Sequence, residues 1–349
     1  VQTPEALWDG LNAQCDAIGG GCRALTIPHN SNQSAGQSFL VTNSDGTPLD
    51  AAAAARRRDM EPLVELIQHK GSSECRVGLG SSDEECSFEE VPPGPLAEDA
   101  QLAYVRNVLR AGLDLEAELG VTPFTLGLVG STDTHNGTPG ATQEDDYPGH
   151  VGASDGTPAG QLSGGSVRYN PGGLMVLWAE ENTRDSLYDA MLRREAYVTS
   201  GTRPELRVFA GVGPAPDLCA AADFAAAGYA AGVPMGGRLE TTPTSDAPWL
   251  AVRVSQDPGA QGIPGTPIAE IQIVKGWLDA EGVTHERVVS VDGGPPGSDA
   301  VDPQTCETDG SGATTRCVVW SDDDFDPSER AFYYARALES PICRWSAQL

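Results

Sequence analysis

Pro-Phe-Thr-Leu-Gly-Leu-Val-Gly-Ser-Thr-Asp-Thr-His-Asn-Gly-Thr-Pro-Gly, residues 123–140, joins an apolar run to a loop that carries a carboxylate and an imidazole two positions apart. The run over 123–129 reads as a buried strand, and Asp133 and His135 follow where that strand gives way to the loop. A carboxylate and an imidazole at that spacing can hold one metal ion between them. The same spacing also occurs in ordinary polar turns, so the reading depends on the company the motif keeps. Two other stretches of the chain have its form, an apolar strand ending in His and polar groups.

The first of these lies near the start. Residues 4–18 place Leu7, Trp8, Leu11 and Cys15 on one helix face, with Thr3 as N-cap and Pro4 at the first helical position. A short strand over 23–27 follows and ends in Pro-His-Asn-Ser-Asn, 28–32. Asp50 then caps a helix through 51–58, and a strand over 63–68 is followed by His-Lys-Gly-Ser-Ser-Glu, 69–74. A third helix over 96–119, with Leu102, Val105, Leu109 and Leu113 at helical spacing, leads into the strand before Asp133. A fourth unit has a strand over 173–179 and a helix capped by Asn182, with Asp185 three positions on. Short strands, apolar on both faces and alternating with helices, predict parallel strands covered by helices, an α/β architecture. The polar stretches all follow strands, at the carboxyl ends where such folds build active sites.

Beyond Pro204 the texture changes. Alternating or β-branched runs over 206–209, 249–254, 268–274, 287–291, 316–320 and 331–337 are separated by Gly/Pro-rich turns, which predicts an antiparallel β-sandwich-like region. The boundary falls at 201–204, dividing the chain into 1–203 and a β-rich accessory region, 204–349. Two glycine-rich, acidic stretches, 142–166 and 291–315, read as long surface loops, the first close to the site.

The charge balance sets limits on partners. With 22 basic against 50 acidic residues, a net of −28, nucleic acid is disfavoured as a partner, and so is an anionic membrane. No apolar run is long enough for a membrane span. None of the eight cysteines forms a Cys-x-x-Cys pair, which argues against a zinc ribbon or thioredoxin-like site. The spacings instead predict local disulfides, Cys15 with Cys22, Cys75 with Cys86 and Cys306 with Cys317, leaving Cys219 to pair with Cys343. Such clips fit an oxidising compartment, periplasmic or secreted. The absence of a Gly-x-Ser-x-Gly elbow disfavours a serine hydrolase.

Residue by residue, His29, Asp133 and His135 stand at equivalent places after strands as metal ligands. Neutral imidazole and carboxylate groups suit Zn, Mn or Fe, one or more divalent ions, with positions left open for water and substrate. Glu65 lies within its strand and points either at this centre or across a core, according to the pleat. His69 and Lys70 are the catalytic candidates; Lys70 binds an anionic group or developing charge, or is simply solvated. Asn30, Asn32, Glu74 and Asn136 are candidates for holding a small-molecule substrate, and His150 either covers the site from a loop or lies on the surface. The run Asp322-Asp323-Asp324-Phe325-Asp326 lacks the spacing of a calcium loop and reads as solvated charge.

Ile-Pro-His-Asn-Ser-Asn (27–32), Gln-His-Lys-Gly-Ser-Ser-Glu-Cys (68–75), Gly-Ser-Thr-Asp-Thr-His-Asn-Gly-Thr-Pro-Gly (130–140) and Trp-Ala-Glu-Glu-Asn-Thr-Arg (178–184) together resemble the bacterial domain of unknown function 3604 family. The stretches 197–203, 233–237 and 341–344 fit it too, so the resemblance covers most of the chain. That family is similar to the polymerase-and-histidinol-phosphatase (PHP) superfamily of metal-dependent hydrolases, whose distorted β/α barrel holds two or three metals at the strands' carboxyl ends. The resemblance implies that His29 is a histidine ligand, that Asp133 and His135 are the terminal Asp-x-His ligand pair, and that the reaction is hydrolysis of an ester, phosphoester or similar bond. Proteins of that superfamily open with His-x-His, which this sequence lacks. The expectation is therefore a partial distorted β/α barrel whose remaining ligands come from a missing N-terminal segment of the same protein. A non-catalytic binding or scaffold protein using the β region and acidic loops is the alternative.

Overall fold

The computed structural model describes residues 2–91, 100–242, 244–259, 264–295, 297 and 300–349. The first helix, α1 (Pro4–Ile18), begins where Thr3 Oγ1 accepts from the Ala6 N–H at 3.2 Å and ends at Gly19. Of its expected apolar face only Trp8 is buried. The Asp50 carboxylate caps α2 (Ala51–Met60) by accepting from the Ala53 N–H at 2.8 Å. Between these helices the strand expected over 23–27 does not form a ladder. The segment is tied instead by two backbone bonds, Thr26 N–H to Met60 O at 2.7 Å and Glu65 N–H to Pro28 O at 3.0 Å.

The strand β1 (Leu63–Gln68) is buried along its whole length. Its tip folds back on β2 (Gly71–Ser72), and the helix α3 (Val105–Leu119) and the strand β3 (Gly127–Gly130) follow. A 3₁₀ turn covers Ala100–Ala103, so only the later part of the expected helix is α-helical; its residues 96–99 lie outside the described residues. β3 pairs parallel with β1, with a register shift between Glu65 and Ile67. Val64 and Leu66 pack with Phe39, Val105, Val108 and Phe124, whereas Leu63 packs with Val129 and Ala196. The strand alternation therefore sends Glu65 to the Leu63 face, away from the α3 core.

The helix α4 (Pro158–Gln161) lies within the next loop, and β4 (Leu174–Leu177), α5 (Arg184–Arg193) and β5 (Ala196–Thr199) complete this half. Thr183, not Asn182, caps α5, its hydroxyl accepting from the Ser186 N–H. The expectation of parallel helix–strand units is met only by β1 and β3: β2 and the β4–β5 pair are antiparallel, and there is no closed barrel among the described residues. The reason lies in a pairing between residues 17 positions apart. The Trp178 N–H bonds Glu195 O at 2.9 Å, so the connection through α5 starts and finishes at one point and returns the chain as a hairpin instead of a crossover.

The six strands expected beyond Pro204 all form: β6 (Glu205–Val212), β8 (Pro248–Ser255), β9 (Ile268–Leu278), β10 (Thr284–Gly293), β11 (Thr315–Ser321) and β12 (Arg330–Glu339). A short β7 (Val233–Pro234) follows α6 (Phe224–Ala231), a helix the sequence did not signal. The sheets run β11-β8-β6-β7 and β10-β9-β12, with every neighbouring pair antiparallel. Leu250, Val252 and Val254 of one sheet pack on Ile268, Ile271 and Ile273 of the other, the core of a β-sandwich. The alternate residues Trp249 and Ala251 face outward yet are buried, covered by Phe224 of α6 and by Leu218. α7 (Trp345–Gln348) ends the chain.

All eight cysteines are paired: Cys15–Cys22, Cys75–Cys86, Cys219–Cys317 and Cys306–Cys343. The first two are the expected local clips, but the last two exchange the expected partners. Strand alternation explains the exchange: Cys317 and Val319 face the outer layer with Phe224 and Leu218, where Cys219 lies, while Val318 and Trp320 face the sandwich core. Asp322 also departs from expectation. It is buried, accepting from Lys275 Nζ and Tyr333 Oη at 2.6 Å each. No helix of the described residues is long and apolar enough to cross a membrane.

At the end of β12, Glu339 accepts from Thr202 Oγ1 at 2.6 Å, and burial pushes its pKa from 4.5 up to about 7. A carboxyl that holds its proton more tightly folded than unfolded favours the fold fully below the unfolded pKa, and that contribution is lost as pH rises through the folded one. Glu339→Gln is expected to match the parent at about pH 4 and to exceed it by about 1–3 kcal/mol at pH 8 in urea unfolding. A difference independent of pH would refute this account of Glu339.

Candidate functional site

The carboxyl ends of β1 and β3 deliver Gln68-His69-Lys70 and Ser131–Asp133 to one place. Gln68, 1% exposed, holds both segments: its Nε2 donates to Asp133 Oδ2 at 3.0 Å and its Oε1 accepts the Lys70 N–H at 2.8 Å. Lys70 Nζ donates to the same Asp133 oxygen, and His69 Nε2 lies 3.7 Å from it. Burial would push the Asp133 carboxyl up, but the Lys70 bond and charge outweigh it and hold the group below the usual range. Asp133 and Asn30 both adopt left-handed backbone, φ 49° and 53°, a conformation that costs other non-glycine residues more.

Glu65 faces the site rather than the α3 core. Its carboxylate accepts from the Asn30 N–H at 3.1 Å and from the Ser131 hydroxyl. Burial pushes its pKa up, opposed by the Ser131 bond and by the neighbouring His29, and the charge of Asp133 adds to the rise. His29 itself is exposed. Asn32, almost fully buried, donates from its backbone to Ser73 Oγ at 3.1 Å and from Nδ2 to Lys70 O at 2.9 Å.

His69 and His150 form a buried pair, their ring centroids 3.8 Å apart, with the Tyr169 ring 5.1 Å from His69. Burial is the main reason that their pKa values fall, to about 3 for His69 and about 4 for His150, so both are neutral imidazoles at neutral pH. His135 is exposed; its ring centroid is 5.8 Å from that of His69, and its backbone N–H donates to His150 O at 2.8 Å.

His150 arrives on a braced strap. Asp155, 2% exposed, accepts from the N–H groups of His150 and Val151 at 2.6 and 2.7 Å. Gly149, at φ 75°, leaves no room for a side chain, since a Cβ there would lie 2.5 Å from Asp155 O. The stretch 142–166 is largely exposed, as its composition predicts, but Thr142, His150, Asp155 and Gln161 turn inward and are buried.

Most of the sequence candidates converge. Asn30, Asn32, Glu65, His69, Lys70, Asp133, His135 and His150 are linked by the contacts above, and His29 by its charge on Glu65. Glu74 is elsewhere: its Oε1 accepts from Arg106 Nη2 at 2.7 Å, Tyr334 Oη at 2.6 Å and Arg336 Nη1 at 3.1 Å. Asn136 braces the strap, donating to Gly149 O at 2.8 Å and accepting from Thr138. Sequence reasoning assigned no role to Gln68, Ser131, Asp155, Tyr169 and Asn170, whose roles come from tertiary placement; only Gln68 and Ser131 lie within a recognised motif.

The donors suit a metal in kind. Asn30 Oδ1, Asn32 Oδ1, His69 Nδ1, His150 Nδ1 and Asn170 Nδ2 are buried without a hydrogen-bond partner among the described residues. Orphaned atoms so concentrated are a deficit that a bound cation and its ligand sphere, or a polar substrate, would remove. The side chains are not drawn into one coordination shell: the only three ligand atoms within 4.8 Å of one another among the described residues belong to Cys75, Asp83 and Cys86, and those two cysteines are bonded to each other. The chain belongs to the family described as Protein of unknown function (DUF3604), whose model matches residues 1–349. No curated protein matches it.

Proposed function

We propose that this member of the family is a periplasmic or secreted metal-dependent hydrolase of an ester, phosphoester or similar bond. The observation that carries the reading is the concentration of orphaned polar atoms between neutral imidazoles and carboxylates at the carboxyl ends of β1 and β3. The resemblance of its motifs to the PHP superfamily supports it, and the four disulfides support the compartment. His29, Glu65, Asp133 and His135 would hold one or more divalent ions, Zn, Mn or Fe. When bound, such an ion supplies a hydroxide nucleophile near neutral pH. Lys70, half-exposed beside Asp133, is placed to bind an anionic group of a small-molecule substrate or to stabilise charge that develops on it. His69 presents an uncharged ring to the same space, and Asn30 and Asn32 offer amide oxygens to substrate hydroxyl or amide groups.

The second reading, a binding protein without catalysis, is favoured by two contacts: Lys70 and Gln68 both donate to the Asp133 oxygen that a cation would take. Elemental analysis of the purified protein with a panel of small esters and phosphoesters separates the two. Roughly one or more transition-metal ions per chain, with hydrolysis lost on chelation and restored on readdition, is the expected result. Full activity in metal-free protein would rule the mechanism out, and a metal-free, inactive protein favours the binding reading.

A further inference from the structure

His150 Nε2 lies 2.7 Å from the Asn170 carbonyl oxygen. A carbonyl only accepts, so this nitrogen keeps the ring proton and the lone pair is left on Nδ1. That atom is buried and has no hydrogen-bond partner among the described residues, a costly state when nothing meets it. The ring is nonetheless firmly held. Asp155 fixes its backbone, and the Asn170 N–H bonds His69 O at 3.2 Å, so one residue sets the positions of both histidines.

The far end of the chain secures the same place. Arg344 Nη2 and Trp345 Nε1 both donate to Tyr169 O, at 2.7 and 3.0 Å, and the Trp345 ring packs 4.7 Å from that of Tyr147. The Cys306–Cys343 disulfide anchors this segment immediately before Arg344. A ring nitrogen protonated on a backbone carbonyl, with the other bare and buried, is how proteins orient a metal-binding histidine. His69, whose Nδ1 is also without a partner, lies against it.

We propose that His150 is a further metal ligand through Nδ1, binding a divalent transition-metal ion together with the adjacent His69; this rests on the metal-centre reading above. The strap over 147–155 is then part of the centre, and its bracing by the C-terminal segment has a purpose.

The test is cobalt and zinc affinity, measured by competition with a chromogenic chelator, and the visible spectrum of the cobalt form, for the parent protein and for His150→Ala. The variant is expected to bind about 10–100-fold more weakly, with shifted cobalt bands. Unchanged affinity and spectrum in His150→Ala overturn the proposal and leave the metal-centre reading standing; a parent protein that binds neither metal overturns both. Should truncation of so buried a ring unfold its strap, the parent protein decides. In the cadmium-loaded form with labelled histidine nitrogens, a scalar coupling to Nδ1 of a ring that keeps its Nε2 proton supports the assignment. Coupling confined to other ring nitrogens refutes it.

Discussion

Replacing Asp133 by Asn is expected to strip the protein of bound metal and to lower hydrolysis by about 10³-fold or more, equivalent to about 4 kcal/mol of transition-state stabilisation. The substitution keeps the shape of the side chain and a residue type that tolerates the left-handed φ of 49°. It removes the charge that draws Lys70, His69 and Gln68 to one oxygen. Fold stability should hardly change, because the Lys70–Asp133 pair is about 29% exposed on each side and pairs of that kind contribute about 0–1 kcal/mol. Thermal unfolding that stays put while metal content and turnover collapse is the signature sought. Metal and activity retained in Asp133→Asn would remove this residue from the centre.

Legibility in the sequence followed the physical range of each interaction. β1 was read with its observed bounds, and the six sandwich strands were all found, because alternation and turn residues are local signals. The barrel expectation failed where a long-range pairing decides direction: nothing in residues 178–195 announces that the Trp178 N–H will meet Glu195 O. Cysteine partners divided in the same way. Short clips were legible from spacing, whereas the Cys317 partner depends on which face of β11 the layer containing Leu218 and Phe224 covers.

The site shows a similar division. Asp133 and His135 stood out as a motif, and Glu65 awaited only the pleat. His150 sits in Tyr-Pro-Gly-His amid glycines and acidic residues, a composition of solvent loops, and only the Asp155 brace and the Asn170 carbonyl turn it inward. Glu74 looked like a site residue through its place after β1. Arg106, some thirty positions away in sequence, recruits it instead.

That recruitment makes Arg106 the residue on which the junction of the two halves depends. Its side chain is 1% exposed, and it donates to Glu74 at 2.7 Å, Asp83 at 2.8 Å and Tyr334 Oη at 2.9 Å. Arg336 of β12 reaches the same two carboxylates at 3.1 and 2.9 Å. The cluster therefore ties the loop after β1 to the sandwich, and the Cys75–Cys86 disulfide closes the segment that carries Asp83. Removing one cation strands buried carboxylates, the costly way to break such a network, so Arg106→Met is expected to destabilise the protein by about 3–5 kcal/mol. In a chain of this size that lowers Tm by roughly 4–7 °C.

The pH dependence gives an independent check. Burial pushes the Asp83 carboxyl up, but Arg336 and Arg106 outweigh it and hold its pKa below 3.8. A depressed carboxyl contributes stability above its unfolded pKa that is lost as pH falls through the folded one. With Arg106 gone that acid-labile contribution shrinks, so the gap between Arg106→Met and the parent should narrow on acidification below about pH 4. An undiminished gap in acid would mean that Arg106 acts through packing of its stem rather than through its charge, and an unchanged Tm would mean that the cluster does not join the halves.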